Sequence, residues 1–162
     1  MLFGRRKSKE KSIAVLAPLE GELISIAQVA DPTFSEEMLG PGVAIRPSGG
    51  RVVSPVTGAV TQIFETGHAL TLTSRDGVEI LIHVGLDTIR LKGEHYTIHV
   101  QEGNPVHPGD LLIEFDPQAI AAAGFDTVTP VVICNREDFA GFDTAAGKRV
   151  KEGDPILFLT KK

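Results

Sequence analysis

The sequence predicts an all-β protein with a single antiparallel β-sandwich or barrel and a few short helical turns. Seventeen glycines and ten prolines interrupt short apolar runs, and helical periodicity is weak. The runs recur roughly every ten residues with turn signals between them, which is typical of sandwiches and barrels. The predicted strands are residues 13–17, 21–25, 42–46, 51–53, 58–64, 68–73, 78–83, 97–100, 111–115, 128–134 and 155–160.

Helical segments are predicted to be short and few. Residues 117–123 combine helix-favouring alanines with Gly124 as a stop signal. Residues 35–39 are expected to form a second helical turn, and residues 87–89 and 136–139 carry weaker signals. None of these segments is long enough to change the predicted fold class.

Two pairs of similar segments indicate an internal near-repeat. Residues 17–23 resemble residues 54–60, and residues 103–110 share the pattern Gly-x-x-Val-x-x-Gly-Asp with residues 147–154. Such a turn uses glycine at positive φ and buries its valine beneath the loop. Similar turns occur in barrel-sandwich hybrid folds, including lipoyl and biotinyl carrier domains.

Length and charge limit the classes of function. A chain of 162 residues predicts one domain over residues 13–162, preceded by a flexible basic tail over residues 1–12. The tail holds five basic residues and one acidic residue, so the −5 charge of the chain leaves −9 for the domain. An acidic domain argues against a nucleic-acid partner and favours a basic protein.

The predicted compartment is the cytoplasm. No apolar run approaches the roughly 18 residues of a membrane span, and the charged first residues do not form a secretory signal. Cys134 is the only cysteine, and its apolar run predicts a small core residue in a buried strand. Any recruitment to a membrane is therefore expected to go through a partner.

His68 and His83 are the most informative residues. Both lie in β-like runs, and Asp76-Gly77 between them is a strong hairpin turn signal. A hairpin folded at this turn pairs positions whose numbers sum to about 151 to 153. It therefore brings both imidazoles to one end of the hairpin, where a pair of this kind can hold a metal, move protons or carry a phosphoryl group.

Phosphoryl transfer fits the pair better than metal catalysis. Asp87 follows His83 at the spacing found in a class of zinc endopeptidases, but the His-x-His strand of those enzymes is absent, so two histidines alone would hold zinc weakly. A neutral imidazole is a good nucleophile near pH 7, and Thr66 lies where it can fix the tautomer of His68. No nucleotide-binding loop is present, which indicates a phosphoprotein donor.

These residues resemble the glucose-type enzyme IIA family of the bacterial phosphoenolpyruvate:sugar phosphotransferase system. The similarity covers nearly the whole chain. Its most specific segments are residues 34–47, 54–58, 64–70, 80–94 and 129–132. The resemblance implies a β-sandwich with a shallow apolar depression around the histidine pair.

The same resemblance implies a role for each site residue. His83 would be phosphorylated on Nε2, His68 would support onward transfer, and Thr66 would orient His68. The donor would be phospho-HPr and the acceptor the cysteine of a IIB domain of a sugar permease. No cofactor is implied, although some relatives hold a regulatory zinc on both histidines.

A partner-binding surface is also implied by the resemblance. Its apolar rim would consist of Phe34, Met38, Leu39, Phe64 and Leu70, with Ile89 nearby. Asp31 and Asp87 would face an arginine of HPr. The dipeptide His95-Tyr96 replaces a more usual Gly-Phe, at a position expected to lie outside the site.

Three alternatives remain open at the level of sequence. A lipoyl or biotinyl carrier would need a lysine in a Met-Lys or Asp-Lys hairpin tip, and neither dipeptide occurs. A zinc protein on the same fold would need further ligands. A purely regulatory protein would keep the fold but act outside sugar uptake on other target proteins.

Overall fold

The described part of the chain contains fourteen β-strands, with five short helical segments between them. The computed structural model describes residues 12–145 and 147–162. The strands are β1 Ser12–Leu16, β2 Gly21–Ser25, β3 Gly42–Pro47, β4 Arg51–Val53, β5 Gly58–Ile63, β6 Ala69–Ser74, β7 Glu79–His83, β8 Tyr96–Ile98, β9 Pro105–Val106, β10 Leu111–Phe115, β11 Thr129–Ile133, β12 Phe139–Thr144, β13 Lys148–Val150 and β14 Pro155–Lys161. The helices are α1 Pro32–Ser35 and α2 Pro117–Ala122, and the 3₁₀ turns are η1 Ile26–Gln28, η2 Thr88–Leu91 and η3 Arg136–Asp138.

The strands form three antiparallel sheets, which confirms the predicted fold class. The largest sheet has the order β13-β2-β3-β11-β7-β6-β5-β9, and the two smaller sheets have the orders β1-β14-β12 and β4-β10-β8. The β6–β7 hairpin that carries the histidines lies beside β11 near the centre of the large sheet.

Two apolar clusters lie on opposite faces of the large sheet. The main core joins inward residues of the large sheet to residues of the two smaller sheets, such as Leu70 and Ile82 to Leu112. The smaller cluster lies on the other face, where Ala69 and Leu81 pack with residues that include Phe34 of α1. Alternating strand residues point to opposite faces, so His83 shares the face of the smaller cluster.

The two Gly-x-x-Val-x-x-Gly-Asp turns have the same conformation, as their similar sequences predict. Val106 and Val150 are each only 2% exposed beneath their loops. The carboxylates of Asp110 and Asp154 each accept the backbone N–H three residues earlier at 2.8 Å. The glycines preceding these aspartates have φ of +93° and +92°, a conformation that glycine adopts without steric cost.

Each of the eleven predicted strands overlaps an observed strand. The sequence did not predict three further strands, which are β9, β12 and β13. The helical turn predicted over 35–39 was misplaced, since α1 spans Pro32–Ser35. The Asp31 side chain accepts the Thr33 N–H and caps this helix, with Pro32 at its first position. The predicted turns near residues 87–89, 117–123 and 136–139 correspond to η2, α2 and η3.

The prediction of a buried Cys134 was wrong, because this residue is exposed just after β11. The predicted tail lies outside the described residues apart from Ser12, which begins β1 and pairs with Thr160 of β14. Among the described residues, no helix has the length and apolar character needed to cross a membrane.

Candidate functional site

The β6–β7 hairpin brings His68 and His83 together. Their ring centroids lie 4.8 Å apart at an interplanar angle of 82°. Ala69, not His68, lies directly opposite His83, so the pairing sum is 152, within the predicted range. His68 precedes the first residue of β6 and follows Gly67, whose φ is +74°. The chain is therefore outside the regular pleat there, and the His68 ring can face His83.

The tautomer of His83 is set by a backbone carbonyl. Its Nδ1 lies 2.7 Å from the Gly85 oxygen. A carbonyl only accepts, so Nδ1 carries the proton and Nε2 keeps a free lone pair. The ring is partly exposed and packs at 5.1 Å against that of Phe34. His83 is therefore an oriented nucleophile that a partner can reach.

Gly85 has a conformation that suits this role. Its φ is +90°, and a Cβ added there would lie 2.5 Å from Cγ2 of Thr88. Its N–H donates to the Val128 carbonyl at 3.0 Å. The positive φ and the close approach of Thr88 both favour glycine. The backbone of Gly85 is therefore held by hydrogen bonds at its N–H, which donates to the Val128 carbonyl, and at its carbonyl, which accepts from His83.

His68 is held differently and is almost inaccessible. Its Nδ1 lies 2.5 Å from the Thr66 hydroxyl, as the sequence predicts for a residue that orients it. The side chain is only 2% exposed, and the Phe64 ring meets it edge-on at 5.6 Å. His68 can therefore support chemistry at His83 but is poorly placed to receive a group from solvent itself.

Both imidazoles are neutral at pH 7. Burial, followed by repulsion from His83 in its protonated form, lowers the pKa of His68 from 6.5 to about 4. Burial also lowers the pKa of His83, while the hydrogen bond to Gly85 and the Asp31 carboxylate raise it in part. Neutral rings keep the Nε2 lone pair of His83 available for attack.

The predicted apolar rim is partly correct in its placement. Met38, Leu39 and Ile89 are exposed large apolar side chains, with 70%, 44% and 55% of their surface accessible. Phe34 is 3% exposed and forms a wall against His83 instead of a rim. Leu70 was predicted wrongly: it is fully buried in the main core, because the Ala69–His83 register turns it to the opposite face.

The two predicted carboxylates differ in setting. Asp31 caps α1 and lies near enough to raise the pKa of His83. Asp87 is exposed at φ +60°, caps no helix with its side chain, and pairs with Arg90 at 3.2 Å. Both are available to a basic partner, although Arg90 competes for Asp87.

Tyr96 belongs to the site, contrary to the sequence-based expectation. Its ring lies 6.5 Å from that of His68, and its hydroxyl donates to the Val84 carbonyl at 2.8 Å. A contact between residues 68 and 96 depends on how β8 packs beside the hairpin. Short-range patterns in the sequence carry no signal for it.

Other histidines take no part in the pair. His95, His99 and His107 are exposed. Within residues 12–145 and 147–162, no group of three or more His, Cys, Asp or Glu side chains is placed to hold a metal ion. The site consists of one partly exposed imidazole, His83, beside a buried one, His68, in an apolar setting, which suits group transfer between proteins better than metal catalysis.

Comparisons with known proteins agree with this geometry. Residues 13–139 match the family model of the phosphoenolpyruvate-dependent sugar phosphotransferase system, EIIA 1. The chain is 42% identical over 166 residues to the glucose-specific EIIA component of Halalkalibacterium halodurans, covering 99% of this chain and 96% of that protein. It is 49% identical over 145 residues to the β-glucoside-specific EIIBCA component of Dickeya chrysanthemi, covering 90% of this chain but 23% of that longer protein.

A solved structure extends the agreement to the fold. The glucose permease IIA from Mycoplasma capricolum superposes with a TM-score of 0.83 at 33% identity, covering 91% of this chain and 96% of that one. Fold, site and relatives define a phosphoryl carrier of sugar uptake by the phosphotransferase system. Within that system, the chain belongs to the EIIA 1 family. The lipoyl-carrier and zinc-protein alternatives are not favoured.

Proposed function

We propose that this protein accepts a phosphoryl group from phospho-HPr on Nε2 of His83 and passes it to the cysteine of a IIB domain. One observation carries the assignment to His83: its Nδ1 proton is bonded to Gly85 while its ring is partly exposed. His68, by contrast, has its Nδ1 on the Thr66 hydroxyl and lies buried. The similarity to a glucose-specific EIIA component and a β-glucoside-specific EIIBCA component supports a glucose-family sugar. In this proposal the transfer takes place in the cytoplasm at the permease.

The transfer balances without a cofactor. The Nε2 lone pair of His83 forms a bond to phosphorus as the bond from phosphorus to the donor nitrogen breaks. The ring gains positive charge, which the Gly85 carbonyl offsets at Nδ1, where the proton remains. In the second step the thiolate of the acceptor cysteine attacks phosphorus, and His83 leaves as a neutral imidazole.

His68 supports the phosphoryl group in this proposal. A Thr66 hydroxyl that donates to Nδ1 leaves the proton of His68 on Nε2. That N–H then donates to a phosphoryl oxygen beside His83. The rings are already 4.8 Å apart, so little rearrangement is needed. Such preorganised donors stabilise charge that develops during transfer.

Docking uses the apolar and acidic groups around the pair. Exposed Met38, Leu39 and Ile89 offer apolar area, and Asp31 and Asp87 offer charge to a basic partner. Apolar burial supplies affinity, whereas opposite charge favours the correct partner and speeds encounter. Regulatory targets would use the same surface. Zinc would find only two imidazole ligands here and would need the others from such a target.

The test is the intact mass of the protein after incubation with phosphoenolpyruvate, enzyme I and HPr. Wild type and His68→Ala are expected to gain one acid-labile phosphoryl group, and His83→Ala none. His68→Ala should then transfer the group to IIB poorly. His107→Ala is the matched control, because His107 is exposed and outside the site. Failure of wild type to gain a phosphoryl group would refute the proposal.

A further inference from the structure

The hydroxyl of Tyr96 links β8 to the loop that follows His83. The hydroxyl donates to the Val84 carbonyl at 2.8 Å, and the ring lies 6.5 Å from that of His68. The side chain is half-buried, and burial raises the pKa of this phenol. Tyr96 therefore stays protonated at neutral pH and remains a donor.

Val84 is tied to both histidines. Its N–H donates to the His68 carbonyl at 2.7 Å, and it directly follows His83 in the chain. Its carbonyl accepts two hydroxyls at 2.8 Å, one from Tyr96 and one from the buried Thr88. A carbonyl oxygen has two lone pairs, so both are used. The two donors fix the oxygen end of the Val84–Gly85 peptide.

The other end of that peptide is fixed as well. The Gly85 N–H donates to the Val128 carbonyl at 3.0 Å, and the next N–H, from Leu86, donates to the Asp126 carbonyl at 3.0 Å. Between these anchors lies the Gly85 carbonyl that holds Nδ1 of His83. A change in the Val84–Gly85 peptide therefore moves the group that sets the tautomer of His83.

We infer that Tyr96 is a positioning residue for phosphoryl transfer, holding the Val84 carbonyl together with Thr88 so that the Gly85 carbonyl keeps the Nδ1 proton of His83. The inference rests on the proposed function for its effect on rate. Its effect on the imidazole is independent of any donor. Tyr96 touches no reacting atom and acts only through the loop backbone.

Tyr96→Phe is the direct test, since it removes the hydroxyl and keeps the ring. The maximal rate of phosphorylation by phospho-HPr should fall about fivefold, the factor expected for one neutral hydrogen bond, while KM for HPr stays unchanged. NMR of the unphosphorylated protein should show a lower His83 pKa, because the bond from Nδ1 to Gly85 favours the protonated ring.

Matched variants separate positioning from general stability. Thr88→Val should act in the same direction as Tyr96→Phe, whereas Thr88→Ser should restore the wild-type rate and titration. Thr61→Val is the control, because its exposed hydroxyl bonds only to Thr71, 2.8 Å away on the sheet. Urea unfolding of each variant measures the change in stability separately.

A lower free energy of unfolding with unchanged His83 titration and unchanged rate in Tyr96→Phe would reduce this residue to a packing role and overturn the inference. The proposed function fails separately, if wild type takes no phosphoryl group on His83. In that case the NMR titration alone decides the role of Tyr96. A shifted His83 pKa would then still support it.

Discussion

The large sheet consists of two halves that share a backbone frame but differ in what covers them. The strands β13-β2-β3-β11 in one half match β9-β5-β6-β7 in the other. In the first half, Val132 pairs with Gly42 and the Ile133 N–H donates to the Pro41 carbonyl at 2.8 Å. In the second, His83 pairs with Ala69 and the Val84 N–H donates to His68. Pro41 and Val132 thus occupy the places of the two histidines.

The difference lies in one connection of each half. Between β2 and β3, residues 26–41 carry η1 and α1, which lay Ile26 and Phe34 over the face of the sheet. Between β5 and β6, only residues 64–68 make the return. The long connection covers Val132 with apolar side chains, so we call the first half covered. Its Phe34 also packs against His83, but the short connection adds no helix and leaves the His83 ring partly exposed, so we call the second half open. The same arrangement of strands therefore carries the apolar pair Pro41 and Val132 in one half and the reactive pair of histidines in the other.

The largest expected effect comes from making the two halves alike. His83→Val gives the open half the residue type that the covered half has at the equivalent position, Val132. Phosphorylation should be abolished, because the nucleophile is gone, while the free energy of unfolding should change by less than about 1 kcal/mol at a position outside the sealed core. Mass spectrometry and urea unfolding measure the two quantities. A large loss of stability would show that the frame depends on the imidazole.

The reverse exchange, Val132→His, should be the most damaging to stability. Val132 is fully buried beneath α1, so a polar ring there loses water and exceeds the available volume. We expect a loss of about 2–4 kcal/mol at pH 7, larger at pH 5, where the unfolded chain binds a proton. Unfolding at both pH values checks this. A well-tolerated histidine would mean that the cover of α1 is not what distinguishes the halves.

Most strands and turns of the large sheet could be predicted from the sequence, because local signals determine them. A few neighbouring residues are enough to predict the Gly-x-x-Val-x-x-Gly-Asp turns, the Asp76-Gly77 hairpin and the strands in the apolar runs. The pair of histidines followed from the hairpin alone. The strands β9 and β13 were missed because they have only two and three residues. β12 has six residues, but Gly141 and a register shift beside it interrupt its local strand pattern.

The finer features of the site depended on register and tertiary packing. A pairing sum of 152 turns Leu70 into the core, whereas a sum of 151 would have placed it beside the histidines. Tyr96 reaches Val84 only because β8, a strand of another sheet, lies beside the hairpin. By contrast, Asp31-Pro32 did carry a local signal for the start of α1, namely a cap followed by proline, and the prediction over residues 35–39 did not use it.

Gly85 offers a smaller, paired test. Its N–H donates to Val128, and in the other half Cys134 makes the matching bond to the Glu79 carbonyl, without positive φ. Gly85→Ala meets Thr88 and the strained φ, so we expect a loss of about 1–3 kcal/mol and slower phosphorylation. Cys134→Ala, at an exposed position, should stay within about 0.5 kcal/mol of wild type. Equal effects of the two substitutions on the free energy of unfolding would contradict the distinction.

The smallest expected effect is the pH dependence of stability that His68 adds to the open half. Its equivalent in the covered half, Pro41, has no titratable group. The pKa of His68 is about 4 in the folded protein and about 6.5 when unfolded, so the unfolded state binds more protons between these values. Its contribution to stability is complete above pH 6.5 and declines as the pH falls towards 4. At pH 6 it should lower the free energy of unfolding by about 0.8 kcal/mol relative to pH 8. His68→Gln should remove this part of the difference in urea unfolding, and an identical pH dependence in both proteins would show that the buried ring titrates normally.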